Sequence, residues 1–136
     1  AALLIERISG AHSLGDALDN AQGDSANAIA WDAIGECIAR FHRAGAFHAD
    51  LNVDNVLMDA QSQIWLIDFD RGAMRKPARG WQRANLLRLQ RSLRKRVGVA
   101  LDSEPLASGW RSLLASYETA MRQPKIGAVD AQDGRP

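Results

Sequence analysis

The apolar and polar positions along the chain predict a helix-rich fold with one short hairpin near its middle. Apolar residues recur at helical spacing in three segments: residues 25–44, residues 80–97 and the stretch after Pro105. Residues 56–58 and 64–67 are short apolar runs with a polar turn between them, which is typical of two paired strands. The pattern therefore predicts an α+β domain in which helices predominate.

Capping residues and buried positions indicate where each element begins and ends. We expect Asp24 or Ser25 to cap the first long helix and Gly45 to end it. The second helix should bury a stripe formed by Leu86, Leu89, Leu93 and Val97. The third should bury a face formed by Leu106, Trp110, Leu113, Leu114, Tyr117 and Met121. Residues 2–8 are predicted to form a buried strand, 14–20 a short helix or turn, and 123–136 a frayed tail.

The composition is that of a single globular domain. The 136 residues are 46% hydrophobic and 24% charged, and no apolar run approaches the roughly 20 residues that cross a bilayer. The one cysteine, Cys37, forms no intrachain disulfide. A disulfide scaffold and a membrane-spanning helix are therefore excluded for this sequence.

Polar residues around the predicted hairpin have the spacing of a phosphoryl-transfer site. His48, Asp50 and Asn55 match the H-R-D-x-x-x-x-N loop of protein kinases. Asp68, directly after the second strand, matches the Asp of D-F-G. In such a site one carboxylate accepts the proton of the acceptor hydroxyl, while an amide and a second carboxylate hold Mg²⁺. We therefore expect Asp50 to be the catalytic base, Asn55 and Asp68 to be metal ligands, and His48 to support the loop structurally.

The departures from the protein-kinase pattern indicate a different acceptor. Ala49 replaces the Arg of H-R-D, Asp70 replaces the Gly of D-F-G, and no A-P-E tripeptide follows. A new helical pattern begins near Trp81, which leaves little room for a segment that docks a peptide. Asp70 could assist the metal or the acceptor, or only solvate the loop. The sequence thus predicts a kinase-type fold that phosphorylates something other than protein.

Basic residues are concentrated after the motif. Ten of the 17 lysines and arginines lie between residues 71 and 96, with no acidic residue among them. Such a block is typical either of a solvated helix face or of contact with an anionic partner. A nucleic-acid partner is not expected, since no interleaved aromatic residues or nucleic-acid-binding fold accompany the charge.

Together these segments resemble the lipopolysaccharide-core kinases of the protein-kinase-like superfamily, in particular those that phosphorylate 3-deoxy-D-manno-octulosonic acid (Kdo). The resemblance covers most of residues 1–122 and rests on the strings His48-Ala49-Asp50-Leu51-Asn52 with Asn55, Trp65-Leu66-Ile67-Asp68-Phe69-Asp70-Arg71, and Trp81-Gln82-Arg83-Ala84-Asn85-Leu86. It implies a protein-kinase-like fold, mainly the helical large (C-terminal) lobe with a short catalytic β-hairpin, and a small lobe that is largely missing. Residues 1–13 would be the last small-lobe strand and hinge, 14–122 the large lobe, and 123–136 a flexible tail.

The same resemblance implies an ATP-dependent, Mg²⁺-using kinase that phosphorylates the 4-hydroxyl of a Kdo sugar on a lipid A precursor. Glu6, Arg7 and Ile8 would meet adenine at the hinge. The enzyme would be a peripheral protein at the cytoplasmic side of the bacterial inner membrane. Its anionic glycolipid would contact a basic set, namely Arg71, Arg75, Lys76, Arg79 and Arg83. Because the sequence contains no small-lobe glycine-rich loop or strand lysine, residues 1–136 alone should have little or no kinase activity.

Two other functional classes share part of this pattern. An aminoglycoside-type or other small-molecule phosphotransferase has the Asp50, Asn55 and Asp68 layout, but it usually lines its acceptor pocket with acids, whereas the sequence after Asp68 is basic. The other class comprises atypical protein kinases and nucleotide-binding scaffolds. A scaffold would be expected to lose one of the three polar residues, and all three are present.

Overall fold

The computed structural model describes residues 10–19, 29–67, 73–76 and 78–124, and helices make up most of this part of the chain. The helices are α1 (Leu14–Asp19), α2 (Trp31–Arg43), α3 (Arg79–Val97) and α4 (Leu106–Arg122), with a 3₁₀ helix at Gly98–Asp102. The strands are β1 (His12–Ser13), β2 (Ala46–Phe47), β3 (Val56–Met58), β4 (Ile64–Leu66) and β5 (Ala73–Met74). The predicted mixed, helix-rich fold is therefore found.

Close packing of α2 against α4 forms the centre of the core. A Cβ atom on Gly35 of α2 would lie 2.2 Å from the backbone oxygen of Leu113 in α4. On the other side, a Cβ atom on Gly109 would lie 2.3 Å from the indole ring of Trp31. Such approaches are possible only where a side chain is absent, so the two glycines set the distance between the helices.

Helix α2 begins later than the sequence predicted. The predicted start near residue 25 is wrong, because Ile29 and Ala30 are not helical and the first helical residue is Trp31. Ala30, at the N-cap, offers no side-chain hydrogen bond, and the expected caps Asp24 and Ser25 lie outside the described residues. Ile29 is buried without being helical. An apolar pattern identifies the buried positions but does not fix the first turn.

The end of α2 matches the prediction. Gly45 has a φ of +86°, and its N–H donates to the carbonyl of His42 at 3.0 Å. A second constraint comes from the residue that follows β5, since a Cβ atom on Gly45 would lie 2.2 Å from the backbone oxygen of Arg75. Arg75 also donates its N–H to the Gly45 carbonyl at 2.6 Å. Glycine is required here both for the turn and for the approach of the antiparallel β2–β5 pair, which the sequence did not predict.

The predicted hairpin is present and carries one extra strand. β3 occupies the predicted residues, whereas β4 ends at Leu66, one residue before the prediction. β1 adds to the other edge of β3, opposite Leu57 and Met58, and gives a three-stranded antiparallel sheet. The predicted strand over residues 2–8, including Glu6, Arg7 and Ile8, lies outside the described residues.

The two C-terminal helices agree closely with the pattern. α3 begins one residue earlier than predicted and buries Leu89 and Leu93 fully, with Leu86 and Val97 partly buried. α4 begins at Leu106 as predicted, and the buried face includes Trp110, Leu113 and Tyr117. The assignment to a kinase large lobe, and the division at residues 13 and 122, stay predictions. None of the helices in the described ranges is long and apolar enough to span a membrane.

Candidate active site

The loop that carries the motif, residues 48–55, is closed on itself by the side chain of Asn55. Its amide nitrogen Nδ2 donates to the backbone oxygen of Asp50 at 2.8 Å. The Asn55 N–H donates to the backbone oxygen of Asn52 at 3.1 Å. Asn55 is almost fully buried, so this bond is protected from water. The backbone of Asp50 is therefore held in a fixed position relative to Asn55.

His48 ties the same loop to the end of the hairpin. Its ring Nδ1 accepts the N–H of Asp50 at 3.0 Å, so Nε2 carries the ring proton and donates to the backbone oxygen of Ile67 at 2.7 Å. The ring is 2% exposed. Both ring nitrogens are engaged in holding backbone, which is a supporting geometry.

The carboxylate of Asp50 is open to solvent and lines a cleft. The side chain is 54% exposed, and its Oδ1 lies 3.9 Å from an Arg88 guanidinium nitrogen. At that distance the two groups attract each other without a direct hydrogen bond. A substrate hydroxyl could therefore reach the carboxylate while its backbone stays fixed by His48 and Asn55.

The atoms that would face a metal are oxygen atoms beside the hairpin end. With Nδ2 bound to Asp50, the remaining polar atom of the Asn55 side chain is Oδ1, and no hydrogen bond to it forms within the described ranges. The Asn55 carbonyl accepts the N–H of Ile67 at 3.0 Å, which fixes Asn55 next to the residue that precedes Asp68. Hard oxygen ligands of this kind suit Mg²⁺. Asp68 and Asp70 lie outside the described residues, so their part in the site stays a prediction.

No alternative metal centre is seen in the described part of the chain. Within it, no three His, Cys, Asp or Glu side chains are grouped so that they could hold an ion. A site built from Asn55 and Asp68 would not be found by such a search, since one ligand is an amide and the other lies outside the described ranges.

A buried polar chain supports the 48–55 loop from behind. The amide of Asn85 in α3 donates from Nδ2 to the backbone oxygen of His48 at 2.9 Å, and its Oδ1 accepts the His48 N–H at 3.3 Å. The same Oδ1 accepts a hydrogen bond from Nε2 of His42 at 3.2 Å. Nδ1 of His42 then accepts the hydroxyl of Tyr117 at 2.7 Å. Helices α2, α3 and α4 thus reach the loop through one hydrogen-bonded chain.

This chain is kept uncharged by burial. Burial lowers the pKa of His42 to about 4, although the hydrogen bond to Asn85 opposes that shift. Burial also raises the pKa of the Tyr117 hydroxyl. Both side chains are therefore neutral near pH 7, where His42 donates at one nitrogen and accepts at the other. The sequence analysis missed Asn85 as a functional residue, although it lies in one of the strings that carry the family resemblance.

The cleft beside Asp50 is strongly basic. Its volume is about 720 Å³, and five basic residues face two acidic ones in its lining. The basic residues are Arg88, Arg91, Arg94, Lys95 and Arg96, and the acidic residues are Asp50 and Asp54. All five basic residues belong to the block noted in the sequence, but none was among those expected to contact the partner.

The residues expected to contact the glycolipid lie elsewhere. Arg79 and Arg83 line a different cleft, on the side of α3 that carries Leu86 and faces α4. The guanidinium of Arg75 stacks over the ring of Phe47, 3.9 Å from its centroid. Lys76 is exposed, and Arg71 lies outside the described residues. The structure therefore separates Arg79 and Arg83 from the cleft that contains Asp50.

The H-x-D-x-x-x-x-N loop, with its fixed backbone and open carboxylate, is the arrangement of kinase-type phosphotransferases. Comparison with known proteins narrows this class. The chain belongs to the lipopolysaccharide kinase (Kdo/WaaP) family, whose sequence model matches residues 1–117.

Curated relatives carry one shared name, 3-deoxy-D-manno-octulosonic acid kinase. The protein of Xanthomonas euvesicatoria pv. vesicatoria (strain 85-10) is 48% identical over 120 residues, covering 88% of this chain and 46% of the relative. That of Stenotrophomonas maltophilia (strain K279a) is 52% identical over 121 residues, with the same coverage. That of Xylella fastidiosa (strain M12) is 53% identical over 95 residues, 70% of this chain and 36% of the relative. The chain thus spans less than half the length of these relatives.

Proposed function

We propose that this chain carries the catalytic loop of an ATP-dependent kinase that phosphorylates the 4-hydroxyl of a Kdo sugar on a lipid A precursor. The observation that carries the proposal is the open carboxylate of Asp50, whose backbone is fixed by Asn55 and His48 beside a basic cleft. Membership of the Kdo/WaaP family and the name of the relatives support the choice of acceptor.

In this reaction Asp50 acts on the acceptor. Its carboxylate accepts a hydrogen bond from the sugar hydroxyl, orients that oxygen for in-line attack, and takes the proton late in the transfer. The hydrogen bonds from Asn55 and to His48 keep the Asp50 backbone from moving as the acceptor binds. The proton then leaves Asp50 to solvent, to which the side chain is half open.

ATP supplies the phosphoryl group, and Mg²⁺ neutralises the charge that develops on it. Among this chain's residues, Asn55 would hold the metal through Oδ1 and Asp68 through its carboxylate. Glu6, Arg7 and Ile8 would meet the adenine through backbone groups. Chelation of Mg²⁺ should abolish kinase activity. The Asn55→Ala enzyme should need a higher Mg²⁺ concentration than the unaltered enzyme to reach half of its maximal rate.

The charge of the cleft supports an anionic acceptor over a cationic one. An aminoglycoside carries several positive charges, which the excess of basic over acidic residues around Asp50 would repel. A Kdo-bearing lipid A precursor carries negative charge and would be attracted. The aminoglycoside-type alternative is therefore disfavoured by an observation that does not depend on the family.

Contact with the membrane is the second part of the proposal. Lys76, Arg79 and Arg83 are exposed, and the cleft lined by Arg79 and Arg83 also contains Leu87, which is 42% exposed. Together with Arg75 and Arg71, these residues would hold the enzyme as a peripheral protein on the anionic cytoplasmic surface of the inner membrane. Arg79→Gln with Arg83→Gln should reduce co-flotation with phosphatidylglycerol vesicles, whereas Arg40→Gln with Arg111→Gln, which removes the same charge elsewhere, should not.

The experiment that tests the reaction uses the intact gene product that carries this chain. It is incubated with labelled ATP and a Kdo-bearing lipid A precursor, and the phosphorylated position is read by mass spectrometry and NMR. Asp50→Asn should reduce kcat by about 10²–10⁴-fold, which is typical for removal of a general base. Glu104→Gln is the control, because that carboxylate is also exposed and its arginine partner, Arg111 of α4, does not line the cleft of Asp50. Equal activity of the two variants would contradict the role of Asp50.

Residues 1–136 by themselves should turn over little or no ATP. The chain covers 46% of the length of the Xanthomonas euvesicatoria relative. The 136 residues contain no glycine-rich phosphate loop or strand lysine. Robust phosphorylation of the precursor by purified residues 1–136 would contradict this part of the proposal.

A further inference from the structure

Besides the bonds of Asn85, a hydrogen bond from the motif loop to Ser92 holds the loop against α3. The hydroxyl oxygen of Ser92 accepts the backbone N–H of Val53 at 2.9 Å. In a helix, residues three and four apart share a face. Arg88 precedes Ser92 by four residues and Lys95 follows it by three, so both lie on the face that meets the loop. Arg91 lies next to them, and all three side chains line the cleft that contains Asp50.

The five basic residues that line the cleft differ in whether a carboxylate neutralises them. Arg94 forms a two-pronged ion pair with Asp102, and Arg96 pairs with both Asp19 and Asp54. Arg88 approaches Asp50 only to 3.9 Å. Arg91 and Lys95 are exposed, and within the described residues neither has a carboxylate partner. Of the five basic residues that line the cleft, Arg88, Arg91 and Lys95 are therefore the ones left available for a ligand.

We propose that Arg88, Arg91 and Lys95 form a subsite for an anionic group of the acceptor, a carboxylate or a phosphate, while Asp50 meets the acceptor hydroxyl. The proposal rests on the proposed function, because it takes the substrate to be a phosphate-accepting sugar acid. Repulsion among three neighbouring cations is relieved when an anion binds between them. Arginine in particular presents paired donors that match a carboxylate or a phosphate.

The subsite would also explain how the acceptor is oriented. Along a helix that rises 1.5 Å per residue, Arg91 lies about 4.5 Å and Lys95 about 10 Å beyond Arg88. An anion held by Arg91 and Lys95 therefore leaves the rest of the sugar near Arg88 and Asp50. Arg88 would then hold one edge of the sugar acid beside the carboxylate that receives its hydroxyl. This assigns a specificity role to residues one to two helical turns beyond Arg88.

A different role for the same cations would be contact with the phosphates of ATP. The two roles differ in which Michaelis constant depends on the side chains. Loss of an acceptor contact raises the KM for the acceptor, and loss of a nucleotide contact raises the KM for ATP.

The test is the double variant Arg91→Gln with Lys95→Gln in the intact gene product. We expect the KM for the Kdo-bearing acceptor to rise about tenfold or more, as for a lost charge-assisted contact. The kcat at saturating acceptor and the KM for ATP should stay within twofold. The control is Arg40→Gln with Arg111→Gln, which removes two positive charges from α2 and α4 and should leave every constant unchanged. An unchanged acceptor KM, or a raised KM for ATP instead, would overturn the proposal.

Two acceptor analogues distinguish the source of the anion. If the subsite holds the sugar carboxylate, an acceptor with that carboxylate methylated should bind equally poorly to the unaltered enzyme and to the double variant. If the subsite holds a lipid phosphate, a dephosphorylated acceptor should bind equally poorly to the unaltered enzyme and to the double variant. Equal binding of either analogue by the two enzymes supports the subsite. A difference between the two enzymes with both analogues overturns it.

A binding measurement keeps this inference separate from the proposed function. Without nucleotide or acceptor, inorganic phosphate should raise the melting temperature of the unaltered protein more than that of the double variant. If no Kdo acceptor is phosphorylated by the unaltered protein, the proposed function fails, while a difference in phosphate stabilisation would still support an anion subsite. Equal stabilisation of both proteins by phosphate would overturn the subsite itself.

Discussion

The side-chain amide of Asn85 holds both backbone groups of His48. Its Nδ2 donates to the His48 carbonyl at 2.9 Å, and its Oδ1 accepts the His48 N–H at 3.3 Å. Asn85 is 2% exposed and belongs to α3, whereas His48 begins the loop that carries Asp50. The position of the catalytic loop is therefore set by a residue of α3 that lies 37 residues away in sequence.

Asn85→Leu should reduce both activity and stability. The leucine leaves the His48 N–H and carbonyl, and Nε2 of His42, without their partner, and each unsatisfied buried group costs about 1–3 kcal/mol. We expect kcat to fall at least tenfold while the KM for ATP changes little, because Asn85 positions the loop without touching nucleotide. Steady-state kinetics and urea unfolding of the intact gene product measure the two effects.

Gln90→Leu is the matched control on the same helix, since Gln90 is only half-buried and lines the cleft on the other side of α3. It should retain full kcat. An Asn85→Leu enzyme that loses stability but keeps its kcat would show that the amide supports the fold and has no influence on the loop.

The motif loop could be predicted from the sequence because its key residues lie close together along the chain. His48, Asp50 and Asn55 lie within eight residues, so their spacing alone restricts how they can meet. The hairpin was equally accessible, because β3 is an apolar run bounded by a polar turn. Loop entropy is small for such short separations, and local sequence therefore carries most of the information.

Features that depend on tertiary contacts could not be read in this way. The β2–β5 pair has two residues in each strand, which is too short to show an alternating pattern. Asn85 looks like a polar interruption of a leucine stripe until His42 and His48 are seen beside it. The sequence showed that the basic block is positively charged. It could not show that Arg83 and Arg91 lie on different faces of α3, because that depends on how the helix packs.

His42 should make the folded state sensitive to acid. Its folded pKa of about 4 is below the unfolded value of about 6.5, so the unfolded chain binds the extra proton first. This contribution to stability is complete above pH 6.5 and is lost as the pH falls from 6.5 toward 4. The loss of stability should reach about 2 kcal/mol at pH 5 and about 3 kcal/mol below pH 4.

The measurement compares the free energy of unfolding in urea at pH 7.5 and pH 5 for three proteins. His42→Gln should lose less stability on acidification than the unaltered protein, even though it is less stable at pH 7.5. His12→Gln, at an exposed histidine, is the control and should keep the full acid sensitivity. A His42→Gln protein with unchanged acid sensitivity would argue against a neutral, buried His42.

Two helical glycines should respond to alanine in opposite directions. Gly35→Ala places a methyl group 2.2 Å from the Leu113 carbonyl, so α2 and α4 must separate, and we expect a loss of about 1–3 kcal/mol. Gly80→Ala meets nothing within 4 Å in the first turn of α3 and should gain about 0.5–1 kcal/mol from reduced backbone freedom. Urea unfolding measures both, and a Gly35→Ala protein that is as stable as the unaltered one or more stable would contradict the close α2–α4 contact.

Arg96 should stabilise the loop region in a salt-dependent manner. Its guanidinium pairs with Asp19 of α1 at 2.8 Å and with Asp54 of the motif loop at 2.9 Å, so one side chain joins three segments. The side chain is 27% exposed and both carboxylates are more than half exposed, which limits the contribution of the network to about 1 kcal/mol.

Arg96→Met, which keeps much of the apolar stem, should lose that amount of stability at low ionic strength and less than half of it in 1 M NaCl, where screening is strong. Arg94→Met removes a pair that joins α3 only to the neighbouring 3₁₀ helix, so it should destabilise the protein less. Urea unfolding at both salt concentrations gives the comparison, and a loss for Arg96→Met that is equally large in 1 M NaCl would mean that packing of the stem, rather than its charge, holds α1 against the loop.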